Sequence, residues 1–400
     1  MANETTKAIQ CPACNGRLSF DPVTGKLKCE FCDSEYDPKS FEMPEEEKPS
    51  GDMQALRCST CGADLITSGT EASTRCPYCG NNTIIPGQFT GTYRPDYVIP
   101  FAFTKEQAKQ KYLEYYQKRF LLPKSFLNSN EIEEIQGIYV PFWLWSGSAG
   151  IDARYHCKDE TKTETEIIIK YFDVRRQGSI AFEHVPADAS QRMEDDLMDS
   201  IEPYQFKNLK AFSSVYLPGF LAERYDVQES EDRKRAENRI RQTIQEQTRA
   251  TIQHEQIEPV SEQIQLSFDQ TQQALLPVWY LVTKWNGKTW KFAMNGQTGK
   301  FIGDLPIDTG KFALVGILIF VLSLILGYVI ISLFDPDSAG LYGLIAAAVI
   351  TSIWGMSAKA SMKPVELKSE AHEYTKPLQL TIRTEQQTKT EHKPRSQNQG

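Results

Sequence analysis

The chain has 400 residues and a formal net charge of −8 at pH 7. Acidic residues dominate its first part, because residues 1–90 contain thirteen Asp and Glu but only eight Lys and Arg. Binding along a phosphate backbone requires the opposite sign of charge, so this composition disfavours nucleic acid as the partner of that part.

Eight of the nine cysteines form two copies of one pattern. In each copy, two CxxC pairs are separated by fourteen residues, and the eight positions are Cys11, Cys14, Cys29, Cys32, Cys58, Cys61, Cys76 and Cys79. A CxxC turn presents two thiolates on one tight loop, and two such turns complete the four-sulfur shell that Zn²⁺ prefers. The repeat predicts two small β zinc ribbons, each binding one Zn²⁺ through cysteines in sequence order.

Disulfides are the alternative, but they would not require two-residue spacing four times, and the polar residues 1–10 lack the apolar region of a secretory signal peptide. Asn15 follows the second cysteine, where a chain that turns back adopts positive φ. We place zinc ribbon 1 at 8–36, an acidic linker at 37–54 and zinc ribbon 2 at 55–88. Each zinc ion with four thiolates adds a further charge of −2, which favours docking of proteins over nucleic acid.

Two apolar segments near the other end predict a transmembrane helical hairpin. The first, at 312–334, contains no charged residue and is long enough, at about 1.5 Å per residue, to cross a hydrocarbon core of about 30 Å. The second, at 340–357, follows after a short loop that carries Asp335 and Asp337, whereas Lys311 and Lys359 lie at the outer ends. The positive-inside rule then predicts a multi-pass cell membrane protein with both termini cytoplasmic. A buried hairpin in a soluble core is the alternative.

Residues 92–306 are long enough for an α+β cytosolic domain with its own core. Thr104 opens a helix with a capping box, and a second long helix is expected from about Asp226 to His254. Between and after them the pattern predicts separate short strands, at Gly137–Trp145, Gly150–Cys157, Glu164–Asp173, Gly178–His184, Gln263–Phe268, Ala274–Trp285 and Thr289–Met294. A tight turn is predicted at Asn295–Lys300. The run Ile167–Val174 alternates imperfectly, which predicts a strand buried on both faces. The segments YVPFWLW (Tyr139–Trp145) and LLPVWYL (Leu275–Leu281) are similar. This similarity leaves open that the α+β domain consists of two related halves.

Residues suited to catalysis do not form a pattern. His156 and Cys157 are adjacent, but neighbours on a strand point to opposite faces and cannot form a dyad with each other. The remaining candidate is His184, and no known hydrolase motif occurs. We therefore predict no enzyme and no catalytic residue. The polar tail at 364–400 is predicted to be disordered, because it has too little apolar surface to fold alone.

The paired ribbons together with the stretches GIYVPFWLW and KWNGKTWKFAMNGQTGK and the apolar hairpin resemble the bacterial TFIIB-type zinc-ribbon membrane proteins. This resemblance covers about residues 8–360. It implies zinc ligation by the eight cysteines Cys11 to Cys79 and supplies no catalytic residue. Members of this family are similar to membrane partners of phage-shock-protein-A-like coat proteins, which act in envelope stress.

These observations predict a non-enzymatic adaptor or scaffold that assembles cytosolic protein partners at the inner face of the cell membrane. A phage-shock-protein-A-like protein is the partner that the resemblance implies. Two alternatives stay open: a membrane-tethered protein that binds nucleic acid or the transcription machinery, and an enzyme that uses the α+β domain.

Overall fold

The computed structural model describes most of the chain, with gaps. The described residues are 11–16, 18–41, 54–58, 64–67, 84–87, 95–117, 119–127, 135–217, 219–223, 225, 227–303, 305–333, 339–362 and 371–394. For 54–58, 64–67 and 84–87 only the backbone is described.

Fifteen strands and six α-helices occur in these described ranges. The strands are β1 (Leu18–Asp21), β2 (Lys26–Cys29), β3 (Glu35–Tyr36), β4 (Gln54–Cys58), β5 (Asp64–Thr67), β6 (Ile84–Gly87), β7 (Tyr97–Val98), β8 (Gln136–Lys162), β9 (Glu166–Asp188), β10 (Lys210–Ala211), β11 (Leu221–Ala222), β12 (Gln256–Trp285), β13 (Lys288–Asn295), β14 (Phe301–Gly303) and β15 (Gln379–Pro394). The helices are α1 (Lys105–Gln117), α2 (Lys124–Leu127), α3 (Asp195–Ser200), α4 (Glu229–Arg249), α5 (Thr309–Ser332) and α6 (Ala339–Met362).

The first three strands form a small antiparallel sheet in the order β1-β2-β3. Asp21 closes the β1–β2 hairpin, since its carboxylate accepts hydrogen bonds from the Val23 amide (2.9 Å) and the Thr24 hydroxyl (3.0 Å). This sheet packs on the central domain: the Phe20 ring lies edge-on to Tyr216 at 5.4 Å. The small sheet is thereby fixed to the large one.

The large sheet is built on four long antiparallel strands in the order β15-β9-β8-β12. Where the sequence predicted several separate strands, β8 and β12 run unbroken for 27 and 30 residues. At about 3.3 Å per residue, β8 alone spans about 90 Å. Turn-like residues such as Gly147 do not end the strand, because bulges absorb them; the β8–β9 register shifts between Trp145 and Gly147. The backbones of β4, β5 and β6 join this sheet through β11, which pairs with both β5 and β8.

We call the part of the sheet formed by β8 136–145 and β12 274–285 the near half. Both of its faces are covered. One face packs against α1 and the N-terminal sheet through a core that includes Tyr112, Tyr116, Tyr139, Trp279 and Phe292. The other packs against α3 through Ile138, Val140, Phe142, Met198 and Ile201.

The far half is formed by β8 147–162, β9 166–182, β12 256–268 and β15. Helix α4 covers one of its faces through Ala236, Ile240 and Ile244. The opposite face presents polar side chains to solvent, including the ion pair between Arg175 and Asp152. The prediction that Ile167–Val174 is buried on both faces is therefore wrong, since Ile167 and Ile168 are only partly buried. The doubly buried stretch is in the near half, where β8 is covered from both sides.

The two similar sequence motifs face each other on neighbouring strands. Tyr139 pairs with Pro277 and Pro141 pairs with Leu275, so that Val140 and Leu276 lie opposite each other at the centre of a local two-fold arrangement. Each motif lies on a long strand that is preceded by a helix and followed by an antiparallel strand. The idea of two related halves remains a prediction, with this arrangement in its favour.

Helices α5 and α6 pack side by side at the end of the domain, and each is long and apolar enough to span a membrane. A Cβ atom on Gly327 would lie 3.3 Å from the Gly343 Cα, so glycine permits the helices to approach closely there. Near the other end of the pair, the rings of Phe312 and Trp354 stack at 5.1 Å.

The prediction of a disordered tail is wrong for residues 371–394. Within 364–400, strand β15 pairs antiparallel with β9 from Gln379 to Pro394, and residues 371–374 pack on α4. That prediction considered the composition of the tail alone, which is poor in apolar residues. The tail folds because β9 offers it a complete edge of backbone hydrogen-bond partners.

Candidate metal centre

Two cysteine turns of the same geometry build the N-terminal site. In the first, the Cys11 amide donates to the Gly16 carbonyl (2.9 Å) and the Asn15 amide donates to the Cys11 carbonyl (2.8 Å). The second turn, at Cys29–Ser34, repeats both bonds at 2.9 and 3.1 Å. Asn15 has φ of 60°, as its place after the cysteine predicted, and Asp33 occupies the same place in the second turn with φ of 57°.

These turns bring four sulfur atoms together. The Sγ atoms of Cys11 and Cys32 are 3.6 Å apart, those of Cys14 and Cys29 3.5 Å, and those of Cys14 and Cys32 3.4 Å. All four sulfurs lie within 4.8 Å of one another. Four sulfurs bound to one Zn²⁺ at about 2.3 Å would be separated by about 3.8 Å, so this cluster requires little movement to close on a tetrahedral ion.

Neighbouring groups favour the charged form of two of the thiols. A hydrogen bond with the Tyr36 hydroxyl, at 3.2 Å, lowers the pKa of Cys11 to about 6. Hydrogen bonds with the hydroxyl and amide of Ser34 lower the pKa of Cys32. The backbone of Gly16 also acts to lower the pKa of Cys14, but proton sharing with Cys32 and Cys29 outweighs it and raises that pKa to about 12. Metals bind the thiolate form, so part of the site is already prepared for an ion.

The four-cysteine cluster could bind one metal ion, and an all-thiolate shell of this size suits Zn²⁺. Of the second predicted set, Cys61, Cys76 and Cys79 lie outside the described residues, and Cys58 is described only as a backbone position at the end of β4. The second ion therefore remains a prediction.

An aromatic ring stands exposed at the metal centre. Phe31 lies between Cys29 and Cys32 in the second turn, and 77% of its surface is exposed. Its ring passes over Gly16, where a Cβ would come within 2.6 Å of the ring, so glycine is required for this arrangement. Val23 is exposed at the hairpin tip of the same sheet. Sequence reasoning missed Phe31, Ser34 and Tyr36; their places beside the cysteines were the available signal.

The candidate catalytic residues do not come together. His156 is exposed and hydrogen-bonds to Asp173 at 2.7 Å, whereas Cys157 is buried on the opposite face of β8. Burial raises the pKa of Cys157 to about 11, which suppresses the nucleophilic thiolate. His184 lies at the near end of β9, where it bonds Gln272 at 2.9 Å. His156, Cys157 and His184 therefore lie in three separate environments.

A cysteine cluster at the N-terminus, a central sheet-rich domain and two apolar C-terminal helices define the class of this protein. It belongs to the same family as YdjG, an uncharacterized protein of Bacillus subtilis (strain 168). The two are 32% identical over 317 residues, which cover 76% of this chain and 92% of YdjG. Residues 3–37 match the family of Trm112p-like proteins, which are small and bind zinc. No solved structure matches the chain significantly.

Proposed function

We propose that this protein is a non-enzymatic adaptor that is anchored in the cell membrane by α5 and α6 and recruits a cytosolic protein partner through its zinc ribbons. The observation that carries the proposal is the exposed Phe31 ring at a metal centre that is fixed to the domain from which the apolar helices emerge. An adaptor needs an exposed contact residue, a rigid support and an anchor, and this arrangement contains all three.

The surface of α5 and α6 supports insertion into a membrane. Large apolar side chains on both helices are exposed, among them Leu314, Ile317, Leu318, Leu322, Ile325, Leu341, Leu344, Ile353 and Met356. A continuous apolar surface of this extent is unfavourable in water and suits a hydrocarbon environment.

Both ends of the helix pair connect to the same domain, which supports a hairpin that leaves and re-enters on one side. Asp308, before α5, donates its amide to the Leu121 carbonyl at 2.8 Å. Ala371, after α6, donates its amide to the Thr243 hydroxyl at 2.8 Å. With Lys311 and Lys359 at the base, we assign both termini to the cytoplasm.

An exposed aromatic side chain is a common anchor of protein–protein interfaces. Phe31 is presented on a turn that four sulfurs and a bound ion would make rigid, so little conformational entropy would be lost on docking. We assign one Zn²⁺ to this ribbon and a second to the cysteines of the second ribbon. The TFIIB-type resemblance suggests a phage-shock-protein-A-like coat protein as the partner, with envelope stress as the setting.

The test is a crosslinked pull-down from intact membranes, read by mass spectrometry, with the zinc content of each purified protein measured in parallel. We expect Phe31→Ser to lose the partner and keep its zinc. Val23→Ser is the matched control, since it removes an exposed apolar side chain elsewhere on the same ribbon, and it should retain both. Cys29→Ser should lose the partner together with one zinc ion.

Retention of the same partners by Phe31→Ser and by Cys29→Ser would contradict docking through this ribbon. A double variant, Cys58→Ser with Cys61→Ser, tests the second ribbon in the same way. Recovery of nucleic-acid machinery alone would favour the membrane-tethered nucleic-acid-binding alternative. Tags at the two ends of the chain test the topology, because exposure of either tag outside intact cells would contradict it.

A further inference from the structure

One more exposed aromatic residue lies at the base of the apolar helices. Phe120 follows α1, and 65% of its surface is exposed, although the next two residues, Leu121 and Leu122, are buried in the core of the near half. Among described residues outside α5 and α6, few large apolar side chains are as exposed. The local chain thus buries two leucines and turns the phenylalanine outward.

Direct hydrogen bonds fix this loop to the start of α5. The carbonyl of Leu121 accepts from the Asp308 amide at 2.8 Å, and the carbonyl of Leu122 accepts from the Lys311 ammonium at 2.8 Å. Asp308 also caps the helix, since its carboxylate accepts from the Lys311 amide at 3.0 Å. The loop and the first turn of α5 therefore form one rigid unit.

That unit lies at the expected level of the membrane surface. Lys311 is the last charged residue before the apolar part of α5, and it is about one helical turn, roughly 5 Å, beyond Asp308. Lys359 lies at the same level on α6, with its ammonium 5.8 Å from the centre of the Phe312 ring. Because Phe120 directly precedes the two residues whose carbonyls bind Asp308 and Lys311, its backbone lies close to this level.

We propose that residues 119–120 form a membrane-contacting loop, in which Phe120 enters the boundary between headgroups and acyl chains. Arg119, whose guanidinium lies 5.1 Å from the Tyr115 ring, faces the phosphates of anionic lipids together with Lys359. Aromatic rings are favoured at this boundary, and basic side chains are attracted to the anionic surface. The inference rests on the proposed insertion of α5 and α6, and it adds a third contact that would prevent the cytosolic domain from tilting on its hairpin.

The test uses the full chain in vesicles of phosphatidylethanolamine and phosphatidylglycerol. The photoreactive residue p-benzoylphenylalanine replaces, in three separate proteins, Phe120, Leu318 on the exposed surface of α5, and Phe31 on the zinc ribbon. After irradiation, lipid adducts are counted by mass spectrometry. All three positions are exposed, so the substitutions should not disturb folding. We expect lipid adducts at 120 and at 318, severalfold above those at 31.

The three labelled positions distinguish failure of the loop inference from failure of the proposed membrane insertion. Adducts at 318 but not at 120 would overturn the loop inference and leave the hairpin intact. Adducts at neither position would overturn both the inference and the insertion on which it rests. Equal yields at 120 and 31 would show non-specific labelling and overturn the inference. Protein adducts at 120 in place of lipid adducts would also overturn it, because Phe120 would then belong to a protein interface.

Discussion

Strands β8 and β12 run through both halves of the large sheet, yet the two halves are stabilised in different ways. The near half is enclosed between α1 and the N-terminal sheet on one face and α3 on the other. The far half has α4 on one face and open polar residues on the opposite one. The same strand can thus be part of a two-sided core at one end and of a one-sided sheet at the other. The difference comes from the helices and the N-terminal sheet that cover the strands, since β8 and β12 themselves are continuous through both halves.

The largest expected effect tests the two-sided core. Phe142 is fully buried in the near half, with its ring 6.0 Å from Tyr204. Phe142→Ala should lower the free energy of unfolding by about 3–5 kcal/mol, because it removes a large buried side chain and leaves a cavity. Ile264→Ala, at a partly buried place in the far half, should cost less than half as much. Chemical denaturation in detergent measures both, and equal losses would contradict the comparison.

The second prediction concerns the edge that the C-terminal strand adds to the far half. The Arg176 side chain is completely buried and forms an ion pair with Glu385 of β15. Glu385→Gln leaves that cation without its negative partner, and we expect a loss of about 1–3 kcal/mol. Hydrogen exchange should accelerate in β9 and β15 but not in the near half. Lys389→Gln is the control on the same strand, since the Lys389 side chain is largely exposed and its pair with Glu391 should contribute little.

The junction between the halves should respond to pH. Asp232 of α4 is buried and accepts a hydrogen bond from the Trp145 indole at 3.3 Å. Burial raises its pKa from 3.8 to about 7, despite the opposing effect of Trp145. The folded state therefore holds a proton that the unfolded state has released.

Between the unfolded and folded pKa values, stability must accordingly fall as pH rises, by up to about 1.4 kcal/mol per pH unit for one proton. The loss is complete above the folded pKa of about 7. Unfolding midpoints measured from pH 5 to pH 8 test this. Asp232→Asn should flatten the slope, and an unchanged slope would assign the effect to other buried acids.

The smallest effect is expected on the open face of the far half. Arg175 donates two hydrogen bonds to Asp152, at 3.0 and 2.7 Å, but both side chains are about a third exposed. Arg175→Ala should cost no more than about 1 kcal/mol, because solvent screens the pair. A larger loss would mean that this face is covered in the intact protein, and the two halves would then resemble each other.

The sequence predicted local features well. Two-residue cysteine spacing and Asn15 were sufficient to anticipate the first metal turn, because ligand geometry restricts the chain within a few residues. The turn Asn295–Lys300 connects β13 and β14, as its Asn-Gly and Thr-Gly pairs indicated. Asp33, which adopts the same positive φ as Asn15, was missed because aspartate is a weaker signal than asparagine or glycine.

Long-range features could not be predicted in the same way. Gly147 and Gly150 indicated strand ends, but pairing with β9 and β12 continues through both. The tail was predicted to be disordered from its Thr, Gln and Lys content, although thirteen of its residues find register partners on β9 between Gln379 and Lys393. In both cases the deciding hydrogen bonds come from strands far away in the chain, and composition holds no information about them.

Because β15 follows α5 and α6 in the chain, the large sheet can be completed only after both apolar helices have been made. The ribosome makes β9 first, then both apolar helices, and β15 only after them. Until that last strand emerges, the edge of β9 is open and Arg176 has no partner from β15. A nascent chain in which β15 has not yet been made therefore exposes an unpaired sheet edge along β9.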